Sequence, residues 1–162
     1  MALTADVHKV RYGGPGNAHQ PFNFPMRASP VVAYRGSIAL TDSGGFIKNS
    51  ASPLTTDTCW GLIDQIGPGG VDTAPGITGG TADGAVTVDV ESGTFFLASG
   101  TGADQLSAAT VGQKVYVINE TTVGLVSTSR PLAGVHIAVD TTRTDAPGPY
   151  AIALGPLLGG GP

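Results

Sequence analysis

His136 and Asp140 are the residues whose types most suggest catalysis, because a carboxylate can orient an imidazole that acts as a base. They belong to the stretch A-G-V-H-I-A-V-D, whose alternation of apolar residues predicts a strand. Four strand residues span about 13 Å, so the two side chains cannot touch within a straight strand. We therefore interpret His136 as a surface or interface histidine and not as a catalytic base.

Asp89 and Glu91 form a second candidate, because two carboxylates can divide the acid and base roles of a glycosidase. Two residues apart on one strand face, they would stand about 7 Å from each other. A sugar site also needs aromatic rings for stacking, and aromatic residues make up 6% of the chain. We expect both carboxylates, like Lys114, to lie on a solvated outer face.

Metal binding and thiol chemistry have few candidate ligands. Asp6, His8 and His19 lie near the N-terminus without a rigid frame or a fourth ligand. Cys59 is the only cysteine, which excludes an intramolecular disulfide and a cysteine-rich zinc site. Its position beside Trp60 in a predicted strand favours a small buried apolar side chain over a reactive thiol.

Two glycine clusters invite comparison with phosphate-binding loops. Neither Gly13-Gly14-Pro15-Gly16 nor Gly67-Pro68-Gly69-Gly70 is followed by a Lys-Ser/Thr pair or by a predicted helix. Without a helix N-terminus such a loop has little to hold an anion. We therefore predict no catalytic residues, no cofactor site and no metal ligands, and we expect a protein that is not an enzyme.

Composition points to strands joined by turns. The 162 residues suffice for one domain, and they include 25 Gly and 12 Pro with only 12% charged residues. The net charge is −4 and the eight Lys and Arg residues are scattered, so nucleic acid is not an expected partner. No apolar run approaches the about 20 residues of a membrane span, and no membrane association is expected. A weakly charged surface suits a permanent contact between subunits, which predicts a homo-oligomer.

Short apolar alternations separated by Gly-, Pro- and Asp-rich turns predict an all-β fold, a small antiparallel β-barrel or sandwich over residues 30–155. In the strand at 85–90, Val86, Val88 and Val90 should face inward. A helix-like fragment is predicted only at 103–109, and residues 67–84 are expected to form a surface loop. The predicted strands are 30–40, 46–49, 58–66, 85–90, 94–98, 114–118, 123–127, 132–140 and 150–154.

Residues 1–29 differ from the rest of the chain, since they are rich in proline and glycine and have no sustained period. We interpret them as an extended N-terminal arm that becomes ordered on a partner, because aromatic residues are uncommon in true linkers. Residues 156–162 are expected to be a flexible C-terminal tail. The arm side chains predicted to bind a partner, by filling pockets or by pairing with acidic groups, are Arg11, Tyr12, Phe22, Phe24, Met26 and Arg27.

Four segments carry a resemblance to a known family: G-A-V-T-V-D-V-E-S-G-T-F-F-L at 84–97, V-G-Q-K-V-Y-V at 111–117, A-G-V-H-I-A-V-D at 133–140 and Y-A-I-A-L at 150–154. In their order and spacing, residues 30–154 resemble the small head-decoration, or cement, proteins of tailed bacteriophages. The short polar stretch that usually begins members of the family is replaced here by the longer arm.

The resemblance implies a compact β-barrel on the outer surface of the capsid head, synthesised in the host cytoplasm and assembled onto the virion. It implies a structural protein that decorates and stabilises the capsid by bridging subunits of the major capsid protein, as a homo-oligomer with a trimer favoured over a dimer. The longer arm leaves the local symmetry open.

A second function stays open at this point, that of a head-fibre or tail-tip module which binds a host receptor or a glycan. The Thr- and Gly-rich loop at 67–84 would be its recognition loop, because loops commonly carry binding residues.

Overall fold

The computed structural model describes residues 22–66, 76–144 and 147–155. These residues form an all-β fold, which confirms the predicted fold class. Their strands, numbered in chain order, are β1 (Phe22–Pro25), β2 (Val32–Ala33), β3 (Ile38–Thr41), β4 (Ile47–Lys48), β5 (Thr58–Ile66), β6 (Ile77–Thr78), β7 (Thr87–Glu91), β8 (Gly93–Ser99), β9 (Lys114–Val117), β10 (Thr122–Gly124), β11 (Leu132–Val139) and β12 (Tyr150–Leu154).

Strands from the C-terminal half of the chain close into a barrel in the order β10-β8-β12-β11-β9. All neighbouring pairs are antiparallel except β8 and β10, which run parallel with Thr122 opposite Ala98. A closed ring of five strands cannot alternate direction all the way round, so one parallel pair is required. The predicted antiparallel barrel is therefore confirmed with one parallel seam.

A second sheet has the order β1-β7-β5-β3-β4, with every pair antiparallel. Its edges approach each other just beyond β1, where Met26 bridges Ile47 and the Arg27 amide donates to the Ile47 carbonyl at 2.9 Å. The sheet thus rolls round its own core. The short pair β2 and β6 adds Ala33 and Ile77 to this core.

Two apolar cores result, and β3 and β5 contribute to both. Along β3, Ile38 and Leu40 pack into the barrel core, whereas Ala39 between them packs into the core of the rolled sheet. On β5, Leu62 packs into the barrel core and Ile63 packs into the core of the rolled sheet. Both faces of these strands are covered, which agrees with the consecutive apolar residues I-A-L in β3 and L-I in β5.

Three predicted elements are wrong in detail. The surface loop expected at 67–84 contains β6, and its Ile77 is fully buried in the core of the rolled sheet. The strand at 30–40 is interrupted by Gly36, whose φ of +76° puts it in the left-handed region and separates β2 from β3. The helix-like fragment at 103–109 is replaced by two 3₁₀ turns, Gly102–Asp104 and Ala108–Thr110. Between them the Leu106 amide donates to Ser99 Oγ at 2.7 Å, so the backbone bond that a continuous helix needs is not made.

Candidate interaction surface: the N-terminal strand

Strand β1 carries a row of apolar side chains that runs from the core to the surface. Alternation along a strand places Phe22, Phe24 and Met26 on one face. Met26 is fully buried, Phe24 is partly buried and Phe22 is 55% exposed. The partners of the two phenylalanines on β7 are the buried Val90 and Val88. The row therefore begins in the core of the rolled sheet and ends in solvent.

Phe24 packs against the ring of Trp60. Its centroid lies 4.9 Å from that of Trp60 with the ring planes inclined at 43°. The Trp60 indole N–H donates to Thr41 Oγ1 at 2.8 Å, which satisfies the polar end of a half-buried ring. Because Trp60 is fixed in this way, Phe24 is a packed residue of the fold.

Arg27 lies where the chain leaves β1, and it is bound by two carboxylates. Its Nε donates to Asp42 Oδ2 at 2.5 Å and its Nη1 donates to Asp83 Oδ2. The guanidinium also lies over the Phe46 ring, 4.8 Å from its centroid. Asp83 Oδ1 in addition accepts the Ala28 amide at 2.8 Å. We call Arg27, Asp42, Asp83 and Phe46 the Arg27 cluster.

The acid–base properties of this cluster agree with its geometry. Burial alone would raise the pKa of Asp42, but hydrogen bonds from Arg27, Phe46 and Gly44 outweigh it and hold the pKa below its usual value. The pKa of Asp83 is lowered by the Ala28 amide and then by Arg27. Both carboxylates are thus matched to a cation of their own chain.

Of the six residues predicted to bind a partner, four lie in the described part of the chain. Two of these predictions are wrong, because Met26 fills the chain's own core and Arg27 pairs with acidic residues of its own chain. Phe24 is mostly engaged by Trp60, so Phe22 alone keeps a largely exposed ring. Arg11 and Tyr12 lie outside the described residues.

The candidate catalytic histidine is buried. His136 has no exposed surface, so the prediction that it lies at the surface is wrong. A bulge in β11 makes Ile137 the extra residue, and Ile137 is exposed while His136 turns inward. The sequence carries no signal for this bulge.

Both nitrogens of His136 are engaged. Nε2 lies 3.0 Å from the Ala138 carbonyl oxygen, which can only accept, so Nε2 carries a proton and donates it. Nδ1 lies 3.0 Å from Thr110 Oγ1, and the ring meets Tyr150 edge-on at 5.8 Å between centroids. These contacts attach the 3₁₀ turn at Ala108–Thr110 to β11 and leave no ring nitrogen for a substrate.

The carboxylate pair does not form a site either. Asp89 accepts a hydrogen bond from Asn23 Nδ2 at 2.9 Å, whereas Glu91 is buried, so the prediction of a solvated Glu91 is wrong. Next to it the backbones of β5 and β7 pack closely, since a Cβ on Gly61 would lie 2.0 Å from the Glu91 carbonyl oxygen. Lys114 is exposed as predicted.

Cys59 is confirmed as a buried apolar residue, and burial raises its pKa to about 12, which removes the thiolate at neutral pH. Within the described ranges, no group of three or more His, Cys, Asp or Glu side chains could hold a metal ion. Asp6, His8 and His19 fall outside these ranges. No helix found in the described part of the chain is long and apolar enough to cross a membrane.

Sequence reasoning missed the residues that hold β1 in place, namely Asn23, Asp42, Trp60 and Asp83. The motif D-S-G-G that begins at Asp42 is typical of a turn, and nothing in it identifies Arg27 as the partner of Asp42. Comparisons with protein-family models, with curated proteins and with solved structures found no match for the chain.

Proposed function

We propose that this protein is a structural component of a tailed-bacteriophage virion, which decorates the outer surface of the head and stabilises it by bridging major capsid protein subunits. The four sequence segments that resemble the head-decoration family motivate the proposal. The all-β fold is the kind of rigid module that this role requires, because a packed genome pushes outward on a thin shell. A module that spans subunit seams adds contact area that must be broken before the shell opens.

The observation that carries the proposal is how firmly the start of the described chain is anchored. A segment that bridges subunits can transmit load only if its base is fixed in the folded module. Strand β1 is paired along its length with β7, Met26 is buried in the core, and the Arg27 cluster holds the end of the strand. Met26 and Arg27 are therefore the proposed anchors of the arm.

The proposed contacts with the shell lie before this anchor. Arg11 and Tyr12 precede β1 in the sequence. An arginine and an aromatic ring are the side-chain types that most often dominate the energy of protein interfaces. The shell subunit would then supply apolar pockets and acidic groups.

Deletion of residues 1–21 tests the proposal, because the truncated protein keeps β1, Met26 and Arg27. We expect this variant to retain its far-UV circular dichroism and its thermal midpoint but to lose co-sedimentation with expanded capsids. A double variant, Arg11→Ala with Tyr12→Ala, should weaken binding, whereas the matched change Asn17→Ala with Gln20→Ala should not. Undiminished binding by the truncated protein would overturn the role of this segment.

A further inference from the structure

The outer edge of β1 has an unusual pattern of hydrogen-bonding groups. The Met26 amide donates to the Val86 carbonyl at 2.9 Å, so the main-chain groups of Met26 face the β7 side. In an antiparallel pair these directions alternate, which places the groups of Phe24 and Phe22 on the β7 side as well. Asn23 and Pro25 consequently present their main-chain groups to the other side of β1, where no further strand is paired with it among the described residues.

Proline limits what this edge can pair with. Pro25 has no N–H, and Pro21, which lies outside the described residues, has none in any conformation. Of residues 21, 23 and 25, Asn23 is therefore the one that has both an N–H and a C=O to offer. The edge ends at Met26, because from there the neighbouring position is taken by Ile47.

The segment P-F-N-F-P is also symmetric about Asn23. A two-fold axis through an antiparallel strand pair needs a self-complementary edge, since each residue must face its counterpart in the second copy. Centred on Asn23, such a pairing lets each Asn23 N–H donate to the Asn23 C=O of the other copy. Phe22 then faces Phe24 of the second copy, a cross-strand aromatic pair.

We propose that two copies of this chain associate through their β1 edges, with Asn23 on the two-fold axis. The edge carries no charged residue, and Pro25, a residue type that limits pairing at edge strands, leaves Asn23 as the position that can pair. Phe22 is 55% exposed and lies where the second copy would cover it. A shifted register would lose the Asn23 bonds. Unlike the trimer expected from sequence, this contact makes dimers.

A cysteine at the axis tests the pairing directly. Hydrogen-bonded residues in an antiparallel pair have Cα atoms about 5.5 Å apart, and disulfides span Cα separations of about 4.4–6.8 Å. The Asn23→Cys variant should therefore give a covalent dimer with a mild oxidant or a short bis-maleimide. Ser127→Cys is the matched control, because it places an exposed thiol on a loop beyond β10 while native Cys59 stays buried. Cross-linking of Asn23→Cys no faster than that of the control would overturn the proposal.

A second pair of variants distinguishes the contribution of the Asn23 main chain to dimerisation from that of its side chain. Asn23→Pro and Asn23→Ala both remove the side-chain bonds of Asn23 to Thr87 and Asp89 and leave the main-chain bonds between β1 and β7 intact. The two variants differ in the outward N–H, which only the alanine variant keeps. By sedimentation velocity, the alanine variant should dimerise like the wild type, whereas the proline variant should be monomeric although its far-UV circular dichroism matches that of the alanine variant. A dimeric proline variant, or a wild-type protein that is monomeric at every concentration, would show that the edge is not used. If the proline variant fails to fold, the cysteine comparison still decides.

Discussion

Arg27 donates from Nε to Asp42 Oδ2 at 2.5 Å, and this bond joins the end of β1 to the β3–β4 hairpin. With the bond from Nη1 to Asp83, one guanidinium ties together three segments that are distant in sequence. The described part of the chain therefore begins with a strand whose C-terminal end is held by ion pairs and whose core-facing side chain Met26 is held by burial.

Replacement of Arg27 should loosen this end of β1. In Arg27→Ala, Asp42 and Asp83 lose their cation and Phe46 loses the group stacked on it, so the urea midpoint should decrease measurably. Arg27→Lys keeps the charge but cannot bind both carboxylates through a planar fork, and its midpoint should lie between the other two. Hydrogen exchange should be faster at residues 22–28 in both variants. Equal midpoints for all three proteins would contradict the assigned role of the Arg27 cluster.

Met26→Ala should destabilise the fold far more, although sequence reasoning placed Met26 in an arm. The side chain is fully buried beside Ile47 and Val88, so its removal leaves a cavity, and the free energy of unfolding should fall by about 2–5 kcal/mol. Leu54→Ala is a suitable control, because Leu54 is 56% exposed, and its effect should be about 0.5 kcal/mol or less. A loss as small as that of the control would mean that Met26 does not fill the core in solution.

Thr110→Val should destabilise the barrel through His136. The substitution keeps the shape of the side chain but leaves His136 Nδ1 without its partner in a buried position. It also removes the exposed bonds of Thr110 Oγ1 to the Ser107 amide and carbonyl, which water can replace. A buried polar group that loses its hydrogen bond lowers the free energy of unfolding by about 1–3 kcal/mol. Thr128→Val, on an exposed loop, is the control and should have little effect. Chemical denaturation measures both, and equal stability of the two variants would contradict the role of the Thr110–His136 contact.

Acid should weaken the attachment of β1. The pKa values of Asp42 and Asp83 lie below the ordinary 3.8, so the folded state binds fewer protons than the unfolded chain near that pH. Their contribution to stability is fully present above the unfolded pKa and is lost as the pH falls through the lower, folded pKa. The thermal midpoint should therefore drop as the pH is lowered below about 4. The double variant Asp42→Asn with Asp83→Asn should show a shallower drop, and parallel curves for the two proteins would contradict this assignment.

The valine alternation of β7 was enough to predict a buried face, and Val86, Val88 and Val90 are buried as expected. Local patterns predict such strands because alternation follows directly from strand geometry. They cannot predict which strands meet across the fold, and so the Met26–Ile47 bridge that rolls the second sheet was missed. For the same reason an aromatic, proline-rich segment was interpreted as an arm when part of it is a paired strand.

The candidate site was predicted less well, for two physical reasons. A one-residue bulge shifts the alternation of side chains along a strand, so a strict alternation through Ile137 assigns His136 to the wrong face of β11. Charge pairing between distant segments has no local pattern, so the partners of Arg27 could not be named from the sequence. The sequence gives no ground for treating Phe22, Phe24 and Met26 differently, although Met26 is buried and Phe22 is exposed.

Quantitative mass spectrometry of purified virions, combined with labelling of the intact particle by an antibody, tests the central claim most directly. A decoration protein should be present in a fixed ratio to the major capsid protein, at comparable abundance, and should be reached by the antibody on the outer surface of the head. Absence from purified particles would contradict the account. A few copies per particle confined to a fibre or to the tail tip would also contradict it and would favour receptor or glycan binding instead.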